Sequence, residues 1–158
     1  ESRIWHMLES KDINQKNKRI PLEWTHGTYK LGSYWLNILE YEDRALCPTC
    51  LMTESIEHII TACPATGQET VWNIASKIWS KTGQNWPTSL LGMILGSSSA
   101  TFKTREGKPN SDDNWLYHIL VTKSAHLIWK MRCEWRIRGG GDPNPDHSDG
   151  GSDRNWKH

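Results

Sequence analysis

The stretch CPTCLMTESIEHIITAC, from Cys47 to Cys63, holds three of the four cysteines of this 158-residue chain and one histidine, His58. Its spacing is C-x2-C-x7-H-x4-C. Structural zinc takes four sulfur or nitrogen ligands in a tetrahedron, and a C-x2-C turn places two thiolates on one side of such a site. Four suitable side chains within 17 residues therefore predict a zinc site made of Cys47, Cys50, His58 and Cys63.

Three other interpretations of these cysteines are open. Single buried cysteines are common in protein cores, but three of them around one histidine at these intervals are not a typical core pattern. A disulfide suits a secreted chain, and nothing in the sequence suggests secretion. A redox C-x-x-C needs a βαβ context that the sequence lacks. Cys133, 70 residues beyond Cys63, is an alternative to His58 as fourth ligand, but we prefer His58 because it lies inside the compact motif.

The predicted zinc ion is structural, because four protein ligands leave no coordination position for water or substrate. Glu54 and Glu57 lie near the predicted start of the helix that carries His58, where the helix dipole favours negative charge. Neither carboxylate is therefore needed as a general base, and we predict no catalytic residue in this chain. Residues 41–65 carry four acidic side chains against one basic, which makes this region a poor surface for phosphate groups.

Helical periodicity recurs on both sides of the motif, whereas strand signals are weak. The sequence predicts short helices at 2–12, at 19–30, after a cap at Ser33 and within 86–96. A further helix is capped by Thr53 and stopped by Pro64. An amphipathic helix covers 68–82 and ends before Gly83, and a long helix covers 113–138. The predicted buried stripe of the 68–82 helix is Val71, Ile74, Ala75 and Ile78, flanked by Trp72 and Trp79. That of the long helix is Leu116, Leu120, Leu127, Met131 and Trp135, with Val121 and Ile128 at its edge.

These elements predict an all-α fold: a small multi-helix domain over 1–138 with a CCHC zinc knuckle at 47–63 and a long C-terminal helix. The Gly/Asp-rich tail at 139–158 is expected to be disordered, because it has almost no apolar side chain to bury. Nineteen basic and 18 acidic side chains give no overall field that points to nucleic acid or membrane. The chain has no apolar run near the roughly 20 residues of a membrane span, and it begins without a signal-peptide pattern. We expect it to be a fragment of a longer protein.

Positive charge collects between residues 101 and 138, where eight basic side chains face four acidic ones. One interpretation is a solvated helix face whose last cations complement the helix dipole. The other is a surface that contacts a nucleic-acid backbone. Under the second hypothesis the contacting side chains are Lys123, Lys130, Arg132, Arg136 and Arg138. A hydrolytic site using His118 and His126 is a weaker hypothesis, because no acid, base and nucleophile converge in the sequence.

Three further stretches add a resemblance: GSYW at 32–35, ESIEHI at 54–59 and SAHLIWKMRCE at 124–134. Together with the Cys/His motif, and in this order, they resemble the CCHC zinc-binding segment downstream of the RNase H domain in the reverse transcriptase polyproteins of fungal non-LTR retrotransposons. The resemblance covers about residues 3–138. It implies that Cys47, Cys50, His58 and Cys63 bind Zn²⁺, and that the polymerase and RNase H carboxylates lie upstream in the parent polyprotein.

The resemblance also implies an accessory role in binding RNA or DNA, within the cell and in its nucleus. It implies neither a membrane partner nor a small-molecule substrate. The alternative function is a protein-interaction module that zinc holds together and that does not bind nucleic acid.

Overall fold

A computed structural model of the protein describes residues 29–64, 67–87 and 90–138. Within these ranges the α-helices are α1 (Ser33–Leu36), α2 (Gln68–Trp79), α3 (Leu91–Leu95) and α4 (Ser111–Ile137). A π-helix covers His58–Ala62, and 3₁₀ turns cover Glu42–Ala45, Ser80–Thr82 and Ser97–Ser99.

The same ranges contain two isolated β-bridges, Leu46–Thr53 and Lys103–Pro109, and no longer strand. The prediction of a mostly helical chain with a long C-terminal helix is confirmed. The predicted helix at 2–12, nearly all of the one at 19–30 and the tail at 139–158 lie outside the described residues. None of the described helices combines the length and apolar character needed to cross a membrane.

Helices α2 and α4 run in opposite directions and enclose the core between them. Gly67, at the start of α2, lies beside Met131 near the end of α4. Trp79, at the end of α2, meets Tyr117 near the start of α4 with ring centroids 5.5 Å apart. Side chains from the π-helix and α3 complete the core, whose buried members are Ile59, Ile60, Val71, Trp72, Ala75, Trp79, Ile94, Tyr117, Val121, Ala125 and Ile128.

The buried faces of α2 and α4 are rotated away from the predicted stripes. In α2 the two tryptophans are buried, while Ile74 and Ile78 are exposed. In α4 the exposed residues include Leu127 and Met131, and the predicted edge residues lie in the centre of the buried face. Large aromatic side chains bury more apolar area than isoleucine or leucine, which accounts for the rotation of α2. The buried residues of α4 are Tyr117, Val121, Ala125, Ile128 and Arg132.

Aromatic rings fill the part of the core between the end of α2 and the start of α4. The Trp79 ring is fully buried, and it packs against Phe102 and Trp86 at centroid distances of 4.7 and 6.2 Å. Its Nε1–H donates to the carbonyl of Asn85 at 3.0 Å, so burial leaves no unsatisfied donor. This arrangement agrees with the common role of tryptophan as a core residue.

Glycines take the backbone conformations that other residues adopt only with strain. Gly83 follows the Ser80–Thr82 turn at φ 74°, as predicted for the end of that segment. Gly32 has φ 43° and precedes α1, so it occupies the cap position that the sequence assigned to Ser33. A Cβ atom on Gly32 would collide with the backbone oxygen of Glu54. This close approach fixes the loop before α1 against the segment that leads into the π-helix.

Candidate metal centre

A tight turn places the first two cysteines together. The Cys47 N–H donates to the carbonyl of Met52 at 2.8 Å, and the Leu51 N–H donates back to the carbonyl of Cys47 at 2.8 Å. The turn is closed at its base by the Leu46–Thr53 bridge. Leu51 adopts a left-handed conformation, φ 58°, which reverses the chain directly after Cys50. The two thiols therefore face the same side of the turn.

The π-helix brings the other two side chains together. In an α-helix, residues five apart point about 140° away from each other, because each residue adds 100°. Here the Cys63 N–H donates to the carbonyl of His58 at 2.7 Å, an i→i+5 bond that stacks Cys63 over His58. The hydroxyl of Ser55 accepts from the His58 N–H at 3.0 Å, so Ser55, and not Thr53 as predicted, supplies the side-chain hydrogen bond near the start of this segment.

The four side chains meet at one point. The Sγ atoms of Cys47 and Cys63 lie 3.5 Å apart, and the Sγ atom of Cys50 lies 3.2 Å from Nε2 of His58. All four ligand atoms lie within 4.8 Å of one another. In a tetrahedral zinc site with these ligands, neighbouring donor atoms are about 3.5–3.8 Å apart. The residues are thus placed closely enough to bind a single metal ion.

The surroundings of Cys47 favour its thiolate. Burial by itself raises the pKa of this thiol. Hydrogen bonds from His58, from the backbone N–H groups of Cys50 and Thr49 and from the Cys50 side chain together outweigh burial and lower the pKa to about 6. At neutral pH the Cys47 sulfur is therefore largely ionised, which is the form that binds metals.

Burial divides the four residues into pairs. Cys47 and Cys63 are buried, whereas Cys50 and His58 are half-buried at the rim. Cys133 is not a member of this group. It is half-buried on α4, where burial raises the pKa of its thiol. The described residues therefore place His58, and not Cys133, beside the other three.

Glu54 contacts two of the arginines that the sequence assigned to nucleic acid. The Glu54 and Arg132 side chains are buried, with 4 % and 7 % exposure for the residues. Arg132 donates from Nε to Oε1 of Glu54 at 2.6 Å and from Nη2 to Oε2. Arg136 donates from Nη2 to Oε2 of Glu54 at 3.2 Å and to the carbonyl of Leu46 at 3.1 Å.

Two sequence interpretations are corrected by these contacts. Arg132 is an interior side chain, and Arg136 is turned inward, so neither presents its guanidinium group on an open surface. The carboxylate of Glu54 is engaged by these arginines, rather than serving only to complement a helix dipole. Because 78 residues separate Glu54 from Arg132, helical periodicity could not pair them. The only signal available in the sequence was the i, i+4 spacing of the two arginines on one side of α4.

The other basic residues of the hypothesis remain on the surface. Lys123, Lys130 and Arg138 are exposed. Lys130 lies 3.7 Å from the carboxylate of Glu134, an i, i+4 pair of the exposed type that contributes little to stability. Lys123 and Lys130 are seven residues apart, so they share one side of α4.

The two histidines of the hydrolytic hypothesis do not meet. Eight helical residues separate His118 from His126, about 12 Å along α4. Nδ1 of His118 lies 3.0 Å from the hydroxyl of Ser97, which is buried. Burial lowers the pKa of both histidines, with Lys123 and Lys130 adding to the effect at His126.

No protein-family model, no curated protein and no solved structure matches this chain. The resemblance to retrotransposon polyproteins therefore stays a prediction from the sequence stretches quoted above.

Proposed function

We propose that this chain is a non-catalytic helical module that binds one structural Zn²⁺ through Cys47, Cys50, His58 and Cys63. The observation that carries the proposal is the convergence of these four ligand atoms within 4.8 Å. Three sulfurs and one imidazole nitrogen are a soft ligand set that suits zinc and excludes a magnesium or calcium site. Four ligands complete the tetrahedron, so the ion has no open position for a substrate.

The bound zinc would hold two local structures together. One is the turn from Cys47 to Thr53, and the other is the π-helix that ends at Cys63. Thiolates that repel one another in the metal-free protein are neutralised by the ion, so metal binding stabilises the folded arrangement. This is the usual role of zinc in small domains whose cores are limited.

Native mass spectrometry of the purified chain should find about one zinc per molecule at pH 7.5. Zinc should dissociate as the pH falls below about 6, because protons compete with the metal for the thiolates. The lowered pKa of Cys47 shifts this release toward lower pH than an ordinary thiol would give, since fewer protons compete for its sulfur at a given pH. Cobalt substitution should give the intense visible absorption of a tetrahedral thiolate site. A chain that contains no zinc and takes up no cobalt would contradict the proposal.

We further propose, on the basis of the sequence resemblance, that this module assists the nucleic-acid binding of a retrotransposon reverse transcriptase and RNase H polyprotein. The revised contact set is Lys123, Lys130 and Arg138, because these side chains are exposed on α4 and at the residue that follows it. Arg132 and Arg136 are withdrawn from it because they contact Glu54. Contacts of this kind would go to phosphates and would not read sequence.

Fluorescence anisotropy with single-stranded RNA and with duplex DNA tests this second proposal. Changing Lys123, Lys130 and Arg138 together to alanine should weaken binding at least tenfold and reduce the salt dependence by up to about three phosphate contacts. The control is the triple alanine variant of Lys77, Lys81 and Lys103, which removes the same charge from other exposed positions. If the wild-type chain binds neither probe at low salt, the alternative of a zinc-stabilised protein-interaction module is favoured.

A further inference from the structure

Three charged side chains connect the metal centre to the last turns of α4. We call Glu54, Arg132 and Arg136 the carboxylate clamp. Glu54 lies on the segment between the cysteine turn and the π-helix, and both arginines lie on α4. The Arg132 guanidinium forms a bidentate hydrogen-bonded pair with the Glu54 carboxylate, and Arg136, one turn later, donates to the same carboxylate. A planar guanidinium that contacts both oxygens fixes the orientation of the carboxylate as well as its distance.

The clamp also holds both sides of the cysteine turn. Arg136 donates to the carbonyl of Leu46, the residue directly before Cys47. On the opposite side of the turn, the Glu54 backbone N–H donates to the carbonyl of Ala45 at 2.8 Å. Ser55, whose hydroxyl accepts from the His58 N–H at the start of the π-helix, follows Glu54 directly. Movement of the turn or of the π-helix start would therefore displace Glu54 from its arginines.

Burial makes this link stiff. Separating the members of a buried ion pair leaves charges without partners in the interior, which is strongly unfavourable. Because the Glu54–Arg132 pair resists separation, a movement of the turn must also move the end of α4. The preceding part of α4 is held differently, since its buried residues Tyr117, Val121, Ala125 and Ile128 belong to the apolar core.

We propose that zinc occupancy of the metal centre controls the ordering of the C-terminal end of α4 and the residue after it, 130–138, through the carboxylate clamp. This inference rests on the proposed zinc function. When zinc fixes the turn and the π-helix, Glu54 is held where Arg132 and Arg136 can bind it, and these residues keep the end of α4 docked. When zinc is removed, the turn loses its constraint and the end of α4 loses its anchor.

The coupling acts in both directions, as thermodynamic linkage requires. A partner that holds the end of α4 in place would raise the affinity of the centre for zinc by the same factor. The exposed basic side chains of this segment, Lys130 and Arg138, would thereby be presented in a metal-dependent manner. The clamp thus makes α4 a structural readout of metal binding.

Hydrogen exchange of the full chain, with zinc and with zinc removed by a chelator, tests the proposal. Zinc should slow amide exchange in 130–138 at least tenfold more than in 114–124, which serves as an internal reference on the same helix. In Glu54→Gln this difference should fall below about threefold, and the zinc Kd should rise about tenfold, as is typical when a residue supporting metal ligands is changed.

Glu57→Gln is the matched control, because it removes the same charge directly beside His58 from an exposed position. It should behave as the wild type does. Arg136→Gln is a milder second variant, which keeps the pair of Glu54 with Arg132 and should lose part of the difference. It provides the test if Glu54→Gln does not fold.

The possible failures are distinguishable. A wild-type chain that binds no zinc would overturn the proposed function and this inference together. Zinc binding that slows exchange equally in 130–138 and in 114–124 would overturn the inference alone. So would an exchange difference between these segments that persists in Glu54→Gln. Where that variant does not fold, a difference of full wild-type size in Arg136→Gln would overturn it.

Discussion

Cys47→Ser should abolish zinc binding and make the chain much less stable. A serine hydroxyl does not replace a thiolate as a zinc ligand, and three remaining side chains leave the site open. At free zinc 100 to 1,000 times the Kd, the loss of metal binding removes about 3–4 kcal/mol from the free energy of unfolding. For a domain of this size the melting temperature should fall by about 10 °C. Native mass spectrometry and calorimetry of the zinc-loaded protein provide the two measurements.

Cys133→Ser is the matched control for this experiment, because it makes the same chemical change at a cysteine outside the ligand group. It should retain one zinc per chain and change the free energy of unfolding by no more than about 1 kcal/mol. Zinc retained at full stoichiometry in Cys47→Ser, with an unchanged melt, would show that this thiol is not a ligand. Zinc lost in Cys133→Ser would instead point to the alternative ligand considered from the sequence.

Trp79→Ala should destabilise the chain by about 3–5 kcal/mol, the range typical of removing a large buried aromatic side chain. The ring is fully buried between α2 and α4 and contacts Trp86, Phe102 and Tyr117. Its removal leaves a cavity that neighbouring rings cannot fill, and it also leaves the Asn85 carbonyl without its donor. Urea unfolding followed by circular dichroism measures the change.

Trp115→Ala is the comparison variant, since Trp115 is also a tryptophan but is 54 % exposed on α4. Its replacement should stay within about 0.5 kcal/mol of the wild type. Zinc stoichiometry should be unaffected in both variants, because neither ring contacts the ligand group. Equal effects of the two substitutions would mean that the core is not organised around Trp79.

Local patterns were sufficient for the parts of this protein that depend on neighbouring residues. The spacing of Cys47, Cys50, His58 and Cys63 restricted the possible ligands, because a short turn and one helical segment can bring such residues together. Apolar periodicity identified the long helix, and Gly83 marked the end of the segment at 68–82. Each of these features is decided within a few residues of the chain.

The predicted buried faces of the helices were less accurate. Periodicity shows which residues share a side of a helix, but it does not show which side faces the core. Ile74 and Ile78 fitted a helical stripe, yet the two tryptophans of α2 took the interior. The π-helix was likewise not predicted, because a single i→i+5 bond changes the angle between His58 and Cys63 without any distinctive residue.

By itself, the sequence determined the types of the four candidate ligand side chains, their order along the chain and the helical class of the fold, because these depend on local spacing. Only the tertiary structure decided that Arg132 and Arg136 turn inward to Glu54, leaving Lys123, Lys130 and Arg138 on the surface. Whether a charged side chain lies in water or in the interior depends on whether an oppositely charged partner is present there. For Arg132 that partner stands 78 residues away in sequence and 2.6 Å away in space.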